Sequence, residues 1–132
     1  PKDLYNFPKN KFVANFIGDA NVVKAEIVNK QSNTYELKLA EMNIKIESAE
    51  DLKNSVSVAL RPEKIRIETN NNNNCIHASI NNASFVGSSY QYILNSKIGK
   101  LYVISGDTNN PFKVGEEVFL SLDEKDVKIL ND

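Results

Sequence analysis

Few residues of this 132-residue chain are of a type and spacing that could do chemistry. The five glycines, Gly18, Gly87, Gly99, Gly106 and Gly115, are scattered, and none stands in a GxxxxGK[ST] loop. A phosphate cradle needs clustered backbone N–H groups with a lysine behind them, so the sequence offers no nucleotide-hydrolysing loop. His77 is the single histidine; it stands between Ile76 and Ala78 in an alternating run, which puts it on the wet face of a strand rather than in a catalytic pocket. Cys75 is the single cysteine, which leaves no internal disulfide and no cysteine-ligated zinc site. No serine has the strand-turn-helix context of a hydrolase nucleophile. Glu50-Asp51 and Glu116-Glu117 precede apolar alternations, where solvated turns are the plain reading. The expectation is therefore a chain with no catalytic, cofactor-binding or metal-ligating residues of its own.

Two groups remain that could bind something. Phe85, Tyr90 and Tyr92 resemble a base-stacking platform, but such platforms join their rings to a cationic groove, and 84–94 holds neither Lys nor Arg. The formal net charge of -1 also supplies no bulk field for nucleic acid, so no nucleic-acid partner is expected. Core packing is expected for the rings. Arg61-Pro62-Glu63 is the more informative group. Proline cannot donate to a sheet ladder, so Pro62 ends the strand that Leu60 closes and sets Arg61 and Glu63 on either side of a corner. A corner with a surface ion pair is the leading reading on spacing alone; a two-pronged arginine contact with another domain or subunit is the functional alternative.

The elements that must position these residues follow from periodicity. Within 9–18, Phe12 and Phe16 are four apart, as are Val13 and Ile17, with Pro8 before them and Gly18 after. That pattern predicts a short helix, either packed on its own domain or docking on something upstream. Beyond Gly18 the period becomes two: Val23, Ala25 and Ile27; Tyr35, Leu37 and Leu39; Met42, Ile44 and Ile46; Val56, Val58 and Leu60; Ile65 and Ile67. Alternation buries one face of each strand, and the turns at 31–33 and 40–41 make an antiparallel meander. The five asparagines at 70–74 cannot bury apolar surface and read as an exposed connection. Strands resume through Ile76, Ala78 and Ile80, then Tyr90, Tyr92 and Leu94, Leu101 and Val103, Val118, Leu120 and Leu122, and Val127 and Ile129. A hydrophobic share of 41% suits an ordinary soluble core, and no apolar run reaches the roughly 20 residues a bilayer requires.

The two parts look alike. Leu52, Val56, Val58, Leu60, Ile65 and Ile67 match Val114, Val118, Leu120, Leu122, Val127 and Ile129 at one offset, 56 to 118 and 67 to 129 alike. Val23 to Ile27 resembles Ile76 to Ile80, and Tyr35 is matched to Tyr90. An internal duplication into two units of about five strands is expected, each too small to stand alone. The fold class is all-β: small OB-like barrels in two similar halves, 19–69 and 75–132, preceded by a short N-terminal helix within a junction segment, 1–18.

Three segments in order resemble one family. Residues 1–18, ending on Gly18 and followed by Asn21, look like the exit from the ATPase domain of ABC importer ATP-binding subunits. Ala59-Leu60-Arg61-Pro62-Glu63-Lys64-Ile65 looks like the strand corner of their C-terminal regulatory domain, the transport-associated OB (TOBE) domain. Ala83-Ser84-Phe85-Val86-Gly87 with Tyr90 looks like its recurrent phenylalanine-x-glycine strand. The resemblance implies a fragment of a longer protein whose ATP and Mg sites lie in a preceding ATPase domain. It further implies a second copy as homodimer partner, contact with that ATPase domain, and indirect association with membrane subunits at the cytoplasmic face. Arg61, Pro62, Glu63, Gly18, Asn21, Phe85, Gly87 and Tyr90 are assigned on this basis to architecture and interfaces. The branch it resembles serves polyamines (spermidine/putrescine) and ferric iron. Gly18-Asp19-Ala20-Asn21 leans to the iron type, and the short 105–114 segment and absence of Trp depart from the polyamine type. A small-ligand or oxyanion sensing module is the alternative reading, and a single-stranded nucleic-acid-binding OB fold stands behind it.

Overall fold

The structure is a computed structural model that describes residues 20–130, and ten β-strands lie within them. The junction segment with its expected helix, Gly18 included, lies outside the described residues. Strands β1 (Asn21–Gln31), β2 (Thr34–Leu39), β3 (Met42–Glu47), β4 (Ser55–Leu60) and β5 (Arg66–Glu68) come from the first half. Strands β6 (Ile76–Phe85), β7 (Tyr90–Ser96), β8 (Gly99–Ser105), β9 (Glu117–Ser121) and β10 (Val127–Leu130) come from the second. Period-two alternation puts Tyr35, Leu37 and Leu39 of β2 and Met42 and Ile44 of β3 into the core, while Lys38, Asn43 and Lys45 stay in water. The outward residues carry alternating charge, Glu26 opposite Lys38 and Glu36 opposite Lys45, which suits a solvated sheet face. One apolar cluster runs through both halves, and Leu37, Leu39, Leu60, Leu94 and Leu120 are fully buried in it. Each such side chain contributes about 1.5–3 kcal/mol of burial free energy.

The halves do not keep their own strands. One five-stranded sheet has the order β10-β4-β1-β2-β3 and the other β5-β9-β6-β7-β8, so each half gives its last strand to the other's sheet. The exchange is symmetric in register. Val58 pairs with Ile129 and Leu120 with Ile67, which is the same pair moved by the same step in each half. The bulges correspond too: register shifts after Ile27 in β1 and after Ile80 in β6. There the Ile27 N–H donates to Asn54 O at 2.8 Å, and the Ile80 N–H to Glu116 O at 2.9 Å.

Two matches made from the sequence need correction. Through the bulge register, Tyr35 opposite Lys30 corresponds to Tyr92 opposite Ala83, not to Tyr90. Both tyrosines are fully buried and their hydroxyls accept a backbone N–H from the loop before the next long strand, Leu52 at 3.0 Å and Phe112 at 3.0 Å. Leu52 therefore has Phe112 as its counterpart, and Val114, its match by offset, is 67% exposed. The loop ahead of β9 reaches the tyrosine two residues earlier than a fixed offset allows.

The sheets close differently at their free edges. Strand β8 packs on the short helical turn Pro62–Lys64 and on β5. Strand β3 meets the second turn, Glu124–Asp126, and a cleft lies between β3 and β10.

Candidate interaction surfaces

Pro62 ends β4 and starts the helical turn, as its fixed φ and missing N–H dictate, and it is buried. Arg61 and Glu63 flank it at 3.9 Å in a partly exposed ion pair, worth little by itself. Asn21 joins this corner. It is 2% exposed, and its side-chain amide donates to Leu60 O at 3.1 Å and to Tyr102 O of β8 at 2.8 Å. Its carbonyl oxygen accepts the Tyr102 N–H at 2.6 Å. One amide thus ties β1, β4 and the edge strand β8, behaving toward Tyr102 as a backbone unit of a missing strand would.

Phe85, Gly87 and Tyr90 form a second cluster at the tip of the β6–β7 hairpin. The Phe85 and Tyr90 rings lie 5.2 Å apart, Tyr90 stacks on Tyr92 at 5.8 Å, and Tyr92 meets Phe112 edge-on. Gly87, at φ +90, sits in the reversal closed by the Val86 N–H to Ser89 O bond of 2.9 Å; a side chain there would be strained by backbone conformation. Core packing holds for Tyr92, but not for Phe85, which is 56% exposed beside an exposed Val86. The hairpin runs past the mouth of its barrel, so the inward stripe continues into solvent. The corner and the tip lie along the same strand, β8, through Tyr102 and through Ser105 opposite Tyr90, without merging into one site.

Other connecting residues were hidden in plain composition. Asn74, the last of the asparagine run, repeats the bracket of Asn21 on β3: its amide donates to Asn43 O at 2.8 Å and its oxygen accepts the Asn43 N–H at 2.6 Å. The signal available was that Asn21 to Asn74 is the same step as Ile27 to Ile80. His77 lies exposed on β6, paired with Glu117 and stacked on Phe119 at 5.3 Å. Glu41, in the β2–β3 turn, accepts the His77 N–H and pairs with Lys97 of the β7–β8 turn at 3.3 Å, so it links the two hairpins. Burial works to raise the Glu41 pKa, but its own N–H, the His77 N–H and Lys97 outweigh it and hold the carboxyl below the usual glutamate value. A lowered carboxyl pKa contributes stability that is complete above the unfolded value and lost as pH falls through the folded one. Glu41→Gln is therefore expected to flatten the acid side of a stability–pH profile read by urea midpoints, because it lowers the midpoint near neutrality and leaves it close to the parent's in acid. Among the described residues no cluster of His, Cys, Asp and Glu could hold a metal ion, and no helix is long and apolar enough to cross a membrane.

A doubled set of antiparallel strands exchanging their last members, with a Pro-marked corner and few reactive groups, defines an OB-like, all-β module. Residues 58–130, more than half of the chain, match the TOBE domain family, and the chain belongs to it. It is similar to the Fe(3+) ions import ATP-binding protein FbpC of Agrobacterium fabrum, 23% identical over 99% of this chain and 37% of that protein. The FbpC of Fusobacterium nucleatum is 28% identical over 100% of the chain and 36% of its own length. The spermidine/putrescine import ATP-binding protein PotA of Salmonella typhi is 31% identical over 80% and 29%. The chain spans between 29% and 37% of the length of these relatives. Among solved structures, the cytoplasmic molybdate-binding protein ModG has the same fold, with TM-score 0.68 at 9% identity over 85% of this chain and 96% of that one.

Proposed function

We propose that this chain is the C-terminal regulatory and dimer-stabilising domain of the ATP-binding subunit of an ABC importer for ferric iron or a polyamine. The observation that carries the reading is that importer ATP-binding proteins align with essentially the whole chain while it fills only about a third of them. Such a domain hydrolyses nothing; ATP and Mg are bound by the preceding ATPase domain, and the work of this part is to hold neighbours in register. Its partners are a second copy, its own ATPase domain and, through that, the membrane subunits on the cytoplasmic face.

Two features support a contact role. The corner of Arg61, Pro62 and Glu63 is held by packing on β8 and by the Asn21 bracket at Leu60, so its polar groups are presented by a rigid support. Phe85 and Val86 offer exposed apolar surface on a hairpin tip lacking charge. Aromatic anchors of that kind dominate interface energies. The purified chain is expected to self-associate in sedimentation velocity. Phe85→Ala should weaken that association about tenfold, equivalent to ~1.4 kcal/mol. A chain that stays monomeric, or a dimer indifferent to Phe85, removes the dimer-stabilising role, and saturable ATP hydrolysis by the chain removes the whole reading. A melting temperature raised by molybdate or another oxyanion would favour the sensing alternative.

A further inference from the structure

The cleft between β3 and β10 is the place where this double barrel is left unfinished. It has a volume of about 380 Å³ between Ile46, Glu47, Ser48 and Glu50 on one side and Val127, Lys128 and Ile129 on the other. It continues into a recess of about 450 Å³ that reaches Thr34, Lys45 and Glu124. In the other sheet the corresponding edge strand β8 packs against the 62–64 turn and β5, without a ladder between β5 and β8.

The backbone on both banks can be oriented from the bonds already made. Asn43 turns its N–H and C=O away from β2, to Asn74, and Lys45 turns its N–H away from β2, to a Glu124 carboxylate oxygen at 2.7 Å. Ser48 donates back to Asn33 on the β2 side. By the two-residue period, the Lys45 C=O and both backbone groups of Glu47 face the cleft. Across it, Leu60 and Asn54 direct their carbonyls to the β1 side of β4, so Ser57 and Ala59 serve β10 through Leu130 and Lys128. Val127 and Ile129 then face the cleft; the Val127 N–H is taken by Glu124 O, but the Val127 C=O and both groups of Ile129 are open. None of these groups meets a hydrogen-bond partner among the described residues. The side-chain caps protect β3 as far as Lys45 and stop where the cleft begins. Uncovered edges are templates for pairing, and proteins otherwise blunt them.

Direction decides what fits. All neighbours in the sheet are antiparallel and there are five strands, so β3 and β10 run the same way. One strand antiparallel to both would satisfy both banks and complete a six-stranded barrel. Its inward side chains would rest on Ile46, Val127 and Ile129, which are partly or fully withdrawn from water. Its outward side chains would lie between an acidic rim, Glu47 and Glu50, and a basic rim, Lys125 and Lys128, where a residue of either charge meets a like-charged neighbour. We infer that the β3–β10 cleft is a docking site for one extended segment of a partner protein, with apolar residues at alternate positions and uncharged polar ones between them.

The test uses the whole chain and a blocked peptide, acetyl-Thr-Val-Thr-Val-Thr-amide, followed by amide NMR. Binding should shift the Glu47 and Ile129 amides and slow their exchange, with other changes confined to β3, β10 and the turns beside them. The same peptide N-methylated at alternate amides should bind at least tenfold more weakly. Glu47→Pro removes a cleft-facing donor without touching the ladder to β2 and should cost a similar factor; should that variant fold poorly, the methylated and unmethylated peptides on the unaltered chain still decide. Equal binding of the two peptides, shifts centred elsewhere, or no shift at the solubility limit overturns the proposal. So does protection of the Glu47 and Ile129 amides by self-association without peptide, which would make a second copy the occupant.

Discussion

Replacing Asn21 by Leu is expected to destabilise the domain by ~3 kcal/mol and lower its melting temperature by about 10 °C. Asn21 is almost fully buried, and its removal leaves the Tyr102 N–H, the Tyr102 carbonyl and the Leu60 carbonyl without their present partner. Stranding a buried polar group costs more than a made hydrogen bond gains, so the loss should exceed that of a conservative core change. Asn21→Asp separates hydrogen bonding from shape. The carboxylate keeps the Tyr102 N–H but faces the two carbonyl oxygens that the amide served. Only the protonated acid can donate to them, so folding raises this carboxyl's pKa. A raised pKa gives stability that is present below the unfolded value and lost as pH rises through the folded one, so the Asp variant should approach the parent in acid and fall away toward neutrality. Thermal melts across that range provide the measurement. A Leu variant melting with the parent would mean that the bracket contributes nothing and that β8 is held by packing alone.

Cutting the chain within the asparagine run should leave one folded particle rather than two. Each half completes its sheet with the other's last strand: β10 covers Leu60 and Val58 of the first half, and β5 pairs with Leu120 of the second. A protease site placed within 71–73, where the residues are exposed, would be cleaved without disturbing either sheet. The nicked protein is expected to elute at its original size with unchanged circular dichroism, and to melt lower and with a new dependence on concentration, since folding has become bimolecular. The separated halves 19–69 and 75–132 should each lack cooperative unfolding and regain it on mixing. Halves that part without denaturant and melt cooperatively alone would mean that the exchanged strands are ornaments on two independent barrels.

Much of this architecture was legible because alternation is a local consequence of burying one face of a strand. The strands, the turns at 31–33 and 40–41, the corner at Pro62 and the doubled pattern could all be read residue by residue, although Gln31 ends β1 rather than joining the turn. The errors have a common origin in long-range geometry. Tyr35 was paired with Tyr90 because a bulge and a longer hairpin are invisible to a fixed offset. Core packing of Phe85 follows from the lack of Lys and Arg across 84–94, which says nothing of where the hairpin ends, and only the position of Phe85 near the hairpin tip exposes it.

By itself the sequence determined that this protein is all-β, doubled, poor in reactive groups and marked by an Arg-Pro-Glu corner. Tertiary structure alone decided which sheet each last strand joins, since β5 has the same apolar pattern whether it pairs with β4 or β9. It also decided that Asn21 and Asn74 serve as surrogate strand backbone while the asparagines at 70–73 remain in water, and that β8 is packed on the 62–64 turn while a cleft stays between β3 and β10. Burial of a face is fixed by neighbours along the chain; pairing, capping and closure depend on groups brought together from tens of residues apart.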